Sequence, residues 1–136
     1  MDTVARLNEL LAAERAGVET LSRLVPEAPD PEARRLFEAV RADEAWSCAG
    51  LVRALRDLGA EPTSAKGDFA RKVMAQPTLA ARLSLLNRGQ EWVTRRLDAL
   101  VAAGLSATST DFLTEMRARH LRNIEACERL VKELSR

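Results

Sequence analysis

Cysteine is scarce in this 136-residue sequence. Its two cysteines, Cys48 and Cys127, are far apart and form no Cys-x-x-Cys pair. The disulfide frameworks of small secreted domains and the zinc ribbons both need more cysteines at closer spacing, so both classes are excluded. We expect Cys48 and Cys127 to be reduced core residues, because free cysteine usually behaves as a small hydrophobic side chain.

Long hydrophobic runs and an excess of charge of one sign are lacking too. No apolar segment approaches the roughly 18 residues that a membrane span needs, and no signal-type core follows the N-terminus. We therefore expect a soluble, cytoplasmic protein with no membrane partner. Lys and Arg number 21 against 20 Asp and Glu, which gives a net charge of +1. Because no basic stripe attracts phosphate, we expect no nucleic-acid partner.

Helical periodicity is what the sequence does contain. Apolar residues recur every three or four positions in four segments, and the sequence has no strand pattern. The predicted helices are residues 3–25, 31–58, 77–103 and 109–135. Pro26 ends the first helix, and Pro31 and Pro77 begin the second and third. Gly59 offers a left-handed end to the second helix, and Gly104 ends the third.

The connections between these helices predict how they pair. The turns within the first pair and within the last pair are short, so each pair should form an antiparallel hairpin. The connection over residues 59–76 is the longest and includes a candidate short helix over residues 68–75. It is long enough to cross the whole bundle at about 3.3 Å per extended residue. We predict a single all-α domain over residues 1–136.

Polar residues interrupt the apolar stripe of every predicted helix near its centre. The interrupting residues are Glu14, Glu44, Ser47, Gln90 or its neighbour Glu91, His120 and Asn123. The periodicity favours Gln90 over Glu91 as the inward residue of its helix. Hairpins place mid-helix residues opposite one another, so we expect these side chains to converge in one polar layer.

Buried carboxylates in such a layer need compensation. Three carboxylates and one imidazole can bind iron, manganese or zinc, because oxygen and nitrogen ligands suit these ions. The candidate metal ligands are Glu14, Glu44, Glu91 and His120. The alternative needs no metal and is a network in which Arg117, three residues before His120, neutralises the carboxylates.

The first two helices resemble those of the ferritin-like superfamily, especially bacterioferritin and rubrerythrin. The first-helix pattern, in which one Glu binds iron, is similar to residues 7–21 (LNELLAAERAGVETL), and Glu14 matches that Glu. The second-helix pattern with Glu-x-x-His is similar to residues 43–59 (DEAWSCAGLVRALRDLG). Glu44 stands at the Glu of that motif, and Ser47 stands at the His.

The last two helices extend the resemblance. Glu91 corresponds to the Glu of the family's third helix. The second Glu-x-x-His motif of the family is similar to residues 117–125 (RARHLRNIE), with Arg117 at the Glu and His120 at the His. The resemblance implies a ferritin-like up-down four-helix bundle with a long crossover between helices two and three. Because two of the ligand positions are lost, it implies one metal ion or none rather than a diiron pair. The absence of tyrosine excludes a tyrosyl-radical role.

Three functions are compatible with this layer. The first is a metal-binding protein with a redox or metal-handling role, in which Ser47, Gln90, Arg117 and Asn123 surround the ligands or replace the metal. The second is a metal-free bundle that serves as an interaction or small-ligand-binding module. The third is an acid/base site that uses Glu44 and His120, whose pKa values burial would shift.

Two tryptophans lie near the predicted layer. Trp46 and Trp92 flank it and either pack there or line a ligand pocket.

We also expect a homodimer, because bundles with helices of matched length readily pair.

Overall fold

The computed structural model of the protein describes residues 2–136, which form long helices joined by mostly short connections. The helices are α1 (Thr3–Leu24), α2 (Pro31–Asp57), α3 (Phe69–Met74), α4 (Leu79–Val101) and α5 (Ala107–Leu134). A 3₁₀ turn at Val25–Glu27 follows α1. No strand occurs within residues 2–136. Each helix begins and ends within two residues of the bounds that the sequence predicts.

Side-chain caps determine where the long helices begin. Asp2, Asp30, Thr78 and Ser106 each precede a long helix and accept a hydrogen bond from the backbone N–H three residues later. The cap at Thr78 explains why α4 begins after Pro77 rather than at it. The cap at Ser106 likewise starts α5 two residues before its predicted beginning.

Glycine ends two of the helices. Gly59 follows α2 with φ of 69°, and Gly104 follows α4 with φ of 76°. These angles lie in the left-handed region, which residues with a Cβ rarely adopt, so both chain reversals need glycine.

The helices pair as two hairpins that form a four-helix bundle. Helix α1 packs along α2, and α4 packs along α5, while the short α3 contacts both α1 and α4. Two residues of α1 hydrogen-bond to the backbone of the long connection. Asn8 Oδ1 accepts a hydrogen bond of 2.8 Å from the backbone N–H of Thr63, and the Arg15 guanidinium donates to the Thr63 carbonyl. The predicted all-α bundle with a long crossover is confirmed.

Two apolar clusters lie on either side of the centre of the bundle. One includes Leu7, Leu51 and Leu97, and the other includes Leu24 and Phe37. Burying a leucine or phenylalanine side chain contributes about 1.5–3 kcal/mol, so these clusters supply most of the driving force for folding. The polar layer separates them, as the interrupted stripes predict.

The cysteines take no part in a disulfide. Cys127 is buried in the second cluster, and Cys48 is half-buried beside the first. Burial raises the pKa of each thiol to about 12, so both remain protonated at neutral pH. None of the helices described in residues 2–136 is both long and apolar enough to cross a membrane.

Candidate metal centre

The centre of the bundle brings together a carboxylate from α1, a carboxylate from α2 and an imidazole from α5. Glu14, Glu44 and His120 are 2%, 3% and 1% exposed. Each offers a ligand atom within 4.8 Å of the other two. His120 Nε2 is 2.8 Å from Glu14 Oε1 and 3.7 Å from Glu44 Oε2. Three of the four side chains that the sequence proposes as metal ligands thus meet in one group.

The position of Glu44 depends on Gly17 in the neighbouring helix. Gly17 is buried one turn after Glu14, and a Cβ added to it would lie 3.0 Å from the carboxyl carbon of Glu44. Such a contact is closer than packed carbon atoms allow without displacement. Glycine therefore lets the Glu44 carboxylate lie against the backbone of α1. Gly17 is not among the site residues predicted from the sequence, although a glycine in mid-helix signals a close approach.

A backbone carbonyl determines how the His120 ring is oriented. His120 Nδ1 lies 2.9 Å from the carbonyl oxygen of Met116. Because a carbonyl oxygen only accepts, Nδ1 must carry the proton and donate it. The other ring nitrogen, Nε2, then faces the two carboxylates. In the neutral ring it presents a lone pair, which is the form that binds a metal ion.

Several buried polar atoms at this level lack hydrogen-bond partners within the described residues. They are Glu14 Oε1, Glu44 Oε2, Ser47 Oγ, Gln90 Oε1 and His120 Nε2. His120 Nε2 and Glu14 Oε1 are 2.8 Å apart, which is close enough for an ion pair. The geometry of this contact is not that of a hydrogen bond, so both atoms still lack a hydrogen-bond partner. An unsatisfied buried polar group costs about 1–3 kcal/mol, so the three atoms of Glu14, Glu44 and His120, which lie in one group, call for a common compensating partner. A metal ion fits this donor set of carboxylate oxygens and an imidazole nitrogen.

Burial and mutual attraction shift the pKa values of the three groups. Burial disfavours the charged form of Glu14, but the adjacent His120 outweighs it and lowers the Glu14 pKa. Burial, with the neighbouring Glu14 charge, raises the pKa of Glu44 well above its usual range. Burial opposes charge on His120 too, yet the Glu14 carboxylate raises the His120 pKa well above its usual value. Without a metal, these shifts favour a group of zero net charge, in which His120 is an imidazolium, Glu14 a carboxylate and Glu44 a carboxylic acid.

Helix α4 contributes Gln90 to the layer. Gln90 is 3% exposed, and its Nε2 donates a 3.1 Å hydrogen bond to Asn87 Oδ1. Glu91 is only partly buried and is not in the group of ligand atoms. The structure does not bring Glu91 to the other three predicted ligands, because adjacent helical residues point about 100° apart and Gln90 takes the inward direction.

The alternative network in which Arg117 neutralises the buried carboxylates is not formed in this structure. Arg117 Nε donates to Asp98 Oδ1 at 2.6 Å, and the Arg117 side chain is 42% exposed. The buried stripe of α5 passes through Met116 and His120, which leaves position 117 turned toward α4. No cation from this position enters the layer.

The remaining predicted residues lie around the three ligand candidates. Ser47 is buried at the same level of the bundle, and its hydroxyl has no hydrogen-bond partner within the described residues. Asn123 lies further out, where its amide donates to Asp43 Oδ2 at 3.0 Å. Asn123 is therefore not part of the polar layer that the sequence predicts.

The two tryptophans differ in what they contact. The guanidinium of Arg119 stacks 3.7 Å from the Trp46 ring, and that of Arg96 stacks 3.9 Å from the Trp92 ring. Trp92 lines a cavity of about 540 Å³ that reaches Glu14 and Glu44, whereas Trp46 does not line it. Of the two predicted pocket residues, the structure places only Trp92 beside a cavity that opens on the ligand group.

A helical bundle with a buried layer of carboxylates and histidine is the arrangement of the ferritin-like class. A crystal structure described as ferritin like, diiron-carboxylate proteins from Bacillus anthracis str. Ames is similar to this chain with a TM-score of 0.81 and 20% sequence identity. The similarity covers 96% of this chain and 99% of that chain. It confirms the predicted ferritin-like fold.

The family model of a domain of unknown function, DUF6306, matches residues 1–129. The chain therefore belongs to the DUF6306 family. No curated protein matches it in sequence.

Proposed function

We propose that this protein binds a single divalent metal ion through Glu14, Glu44 and His120, and has a redox or metal-handling role. The observation that carries the proposal is the convergence of three buried donors whose atoms Glu14 Oε1, Glu44 Oε2 and His120 Nε2 lack hydrogen-bond partners within residues 2–136. Iron, manganese and zinc are the candidate ions, because each accepts carboxylate and imidazole ligands.

One ion fits these residues better than two. A diiron centre needs carboxylates that bridge two ions and further ligands for each of them. Ser47 stands where the ferritin-like second helix has a histidine, the neutral Gln90 faces the layer from α4, and Arg117 turns away from it. The three remaining donors suffice for one ion with open coordination positions.

The residues of the chain have defined tasks in this proposal. Glu14 and Glu44 balance the charge of a divalent ion, and Met116 holds the His120 ring so that Nε2 faces the carboxylates. The two apolar clusters keep bulk water from both sides of the layer. A bound ion would supply Lewis acidity and, if it is iron or manganese, one-electron redox capacity.

The test compares two substitutions of the same kind on α1. Glu14→Gln keeps the size of the side chain and removes a ligand charge. Glu19→Gln is the matched control, since Glu19 pairs with Lys66 at the surface. We expect Glu14→Gln to weaken binding of Fe(II), Mn(II) or Zn(II) by at least about 100-fold in equilibrium dialysis, and Glu19→Gln to leave it unchanged. Equal affinities of the two variants would show that the site is misassigned.

The second candidate is a metal-free bundle that acts as an interaction or small-ligand-binding module. The 2.8 Å contact between His120 Nε2 and Glu14 Oε1 favours it, because an imidazolium paired with a carboxylate needs no metal. Failure of the wild-type protein to bind any of the three ions, with the same fold retained, would support this candidate over the first.

Cytoplasmic location and homodimer formation stay predictions of the sequence. Light scattering coupled to size-exclusion chromatography would test the second, since the dimer would have twice the 15.0 kDa mass of the chain.

A further inference from the structure

The cavity beside the candidate metal centre joins the protein surface to the polar layer. It has a volume of about 540 Å³ and is bounded by α1, α4 and the segment that contains α3. Its rim includes the exposed Lys72 and Arg88, and its floor includes the buried Glu14, Glu44 and Gln90. Sites for small molecules commonly have volumes of about 300–1,000 Å³, so the cavity is large enough for one.

Small residues and one aromatic ring shape the wall of the cavity. Helix α1 contributes Ala13 and Gly17, where larger side chains would fill the space. On the opposite side, the Phe69 ring packs against Gly89 so closely that a Cβ there would lie 2.8 Å from it. Leu86 and other apolar residues of α4 continue the wall. A ligand in this cavity would meet mostly hydrocarbon until it reached the floor.

Gln90 gives the floor a polar group with a fixed orientation. Its Nε2 donates to Asn87 Oδ1 at 3.1 Å, and Asn87 Nδ2 in turn donates to the Ile124 carbonyl at 3.1 Å. Because this chain of hydrogen bonds occupies the amide nitrogen, Gln90 Oε1 is the free end of the side chain, and it is buried without a partner among the described residues. A carbonyl oxygen only accepts, so a partner must bring an O–H or N–H group.

We propose that this cavity binds a small, mainly apolar molecule with a hydroxyl group, and that the hydroxyl donates a hydrogen bond to Gln90 Oε1. The apolar part would lie against Phe69 and Leu86. A carboxylate ligand is disfavoured, because the acceptor oxygens of Glu14 and Glu44 share the floor with Gln90. This binding does not depend on the metal ion of the proposed function.

The test uses a pair of probes that differ in the donor. 1-Hexanol has a hydroxyl group that can donate a hydrogen bond. Its methyl ether has the same hexyl chain but no hydroxyl proton to donate. In titrations followed by amide chemical shifts and by the fluorescence of Trp92, we expect saturable binding of 1-hexanol at the cavity. We expect the ether to bind about tenfold more weakly, because it leaves Gln90 Oε1 unsatisfied.

Two pairs of variants locate the interaction. Gln90→Leu should bind the alcohol and the ether equally, whereas Gln76→Leu, outside the cavity, should keep the tenfold difference. Ala13→Leu should abolish binding of both probes by filling the space, whereas Ala5→Leu, on an exposed part of α1, should change nothing. Circular dichroism of each variant would verify the fold, and the two pairs test the site independently.

Several results would overturn the proposal. Failure of 1-hexanol to bind, equal binding of the ether to the wild-type protein, or unchanged binding to Ala13→Leu would each do so. Tighter binding of hexylamine or hexanoate would show that the ligand is charged. If Gln90→Leu lowered metal affinity and kept the preference for the alcohol, Gln90 would be a metal ligand instead. Loss of metal binding alone, with probe binding intact, would contradict only the proposed function.

Discussion

At the scale of single residues, the candidate site depends on how His120 is held. The Met116 carbonyl binds Nδ1, so Nε2 faces Glu14 at 2.8 Å within the buried layer. In the absence of a metal, this contact is an ion pair whose strength depends on protonation of His120. His120 is also the only histidine in the sequence, so a histidine-linked effect on stability is attributable to it.

The first prediction concerns the pH dependence of stability in the metal-free protein. Because the folded pKa of His120 is raised, its contribution is complete below its unfolded pKa of about 6.5 and is lost as the pH rises through its folded pKa. His120→Gln should therefore lower the free energy of unfolding by about 3–5 kcal/mol at pH 6, and by less at alkaline pH. Urea unfolding in excess chelator at several pH values would measure the difference.

A difference between wild type and His120→Gln that stays constant across the pH series would contradict the ion pair. Far-UV circular dichroism of the variant would verify that its helices are intact.

The second prediction concerns protons that a metal ion would displace. Burial and the Glu14 charge raise the pKa of Glu44, and attraction to Glu14 outweighs burial to raise the pKa of His120, so both groups hold a proton more tightly than they do in water. A metal ion competes with these protons for the same atoms, so binding should release protons and strengthen as the pH rises. Calorimetry in two buffers with different ionisation enthalpies would count them. Binding with no proton release would contradict the assignment of these two residues as ligands.

At the scale of helices, the fit of α1 against α2 depends on Gly17. An added methyl group would lie 3.0 Å from the Glu44 carboxyl carbon, at the mobile end of a side chain rather than at a rigid backbone. Stability and ligand geometry should therefore respond differently to the same substitution.

The third prediction is that Gly17→Ala impairs the site more than the fold. Alanine gains about 0.5–1 kcal/mol of helix stability over glycine, which offsets the cost of moving Glu44, so we expect a change in unfolding free energy below about 1 kcal/mol. Metal affinity should fall by roughly 10–100-fold, because Glu44 is displaced. Urea unfolding and equilibrium dialysis would measure the two quantities. Unchanged metal affinity would show that Glu44 does not need this close approach.

The helices themselves were largely predictable from the sequence. Apolar spacing and proline or glycine boundaries place every helix within two residues of its observed bounds. The layer was predictable for the same reason, since a carboxylate in an apolar stripe identifies Glu14 and Glu44. Helical periodicity favoured Gln90 as the inward residue, and the structure agrees. The family motif offered Glu91 instead, because a motif match does not report which way a side chain points.

Other features of the site depend on contacts between helices, which spacing along one helix does not describe. Arg117 was misplaced because its partner, Asp98, lies on a different helix and draws the guanidinium outward. The role of Gly17 needs the distance to α2, and the cavity needs the position of Phe69 on α3. The sequence alone therefore indicated the ligands more clearly than their surroundings.

At the scale of the whole molecule, a polar layer lies between two apolar clusters in a four-helix bundle. The ligands come from α1, α2 and α5, which belong to both hairpins. The arrangement exists only in the folded chain, so an ion bound there stabilises the whole bundle and not one helix.

The fourth prediction is that metal binding raises global stability. At a free ion concentration of 100 times Kd, the free energy of unfolding should increase by about 2.7 kcal/mol, because the unfolded chain lacks the assembled site. Thermal unfolding with increasing Zn(II) or Mn(II) would measure this increase, and Glu14→Gln should show none. A wild-type Tm that is independent of the metal concentration would contradict binding at an assembled site.

The most direct test of the account is the metal content of the wild-type protein, measured by elemental mass spectrometry after purification without added metal. The account predicts about one equivalent of iron, manganese or zinc per chain, present either on purification or after incubation with the ion and gel filtration. Less than about 0.1 equivalent under both conditions would contradict a metal centre formed by Glu14, Glu44 and His120.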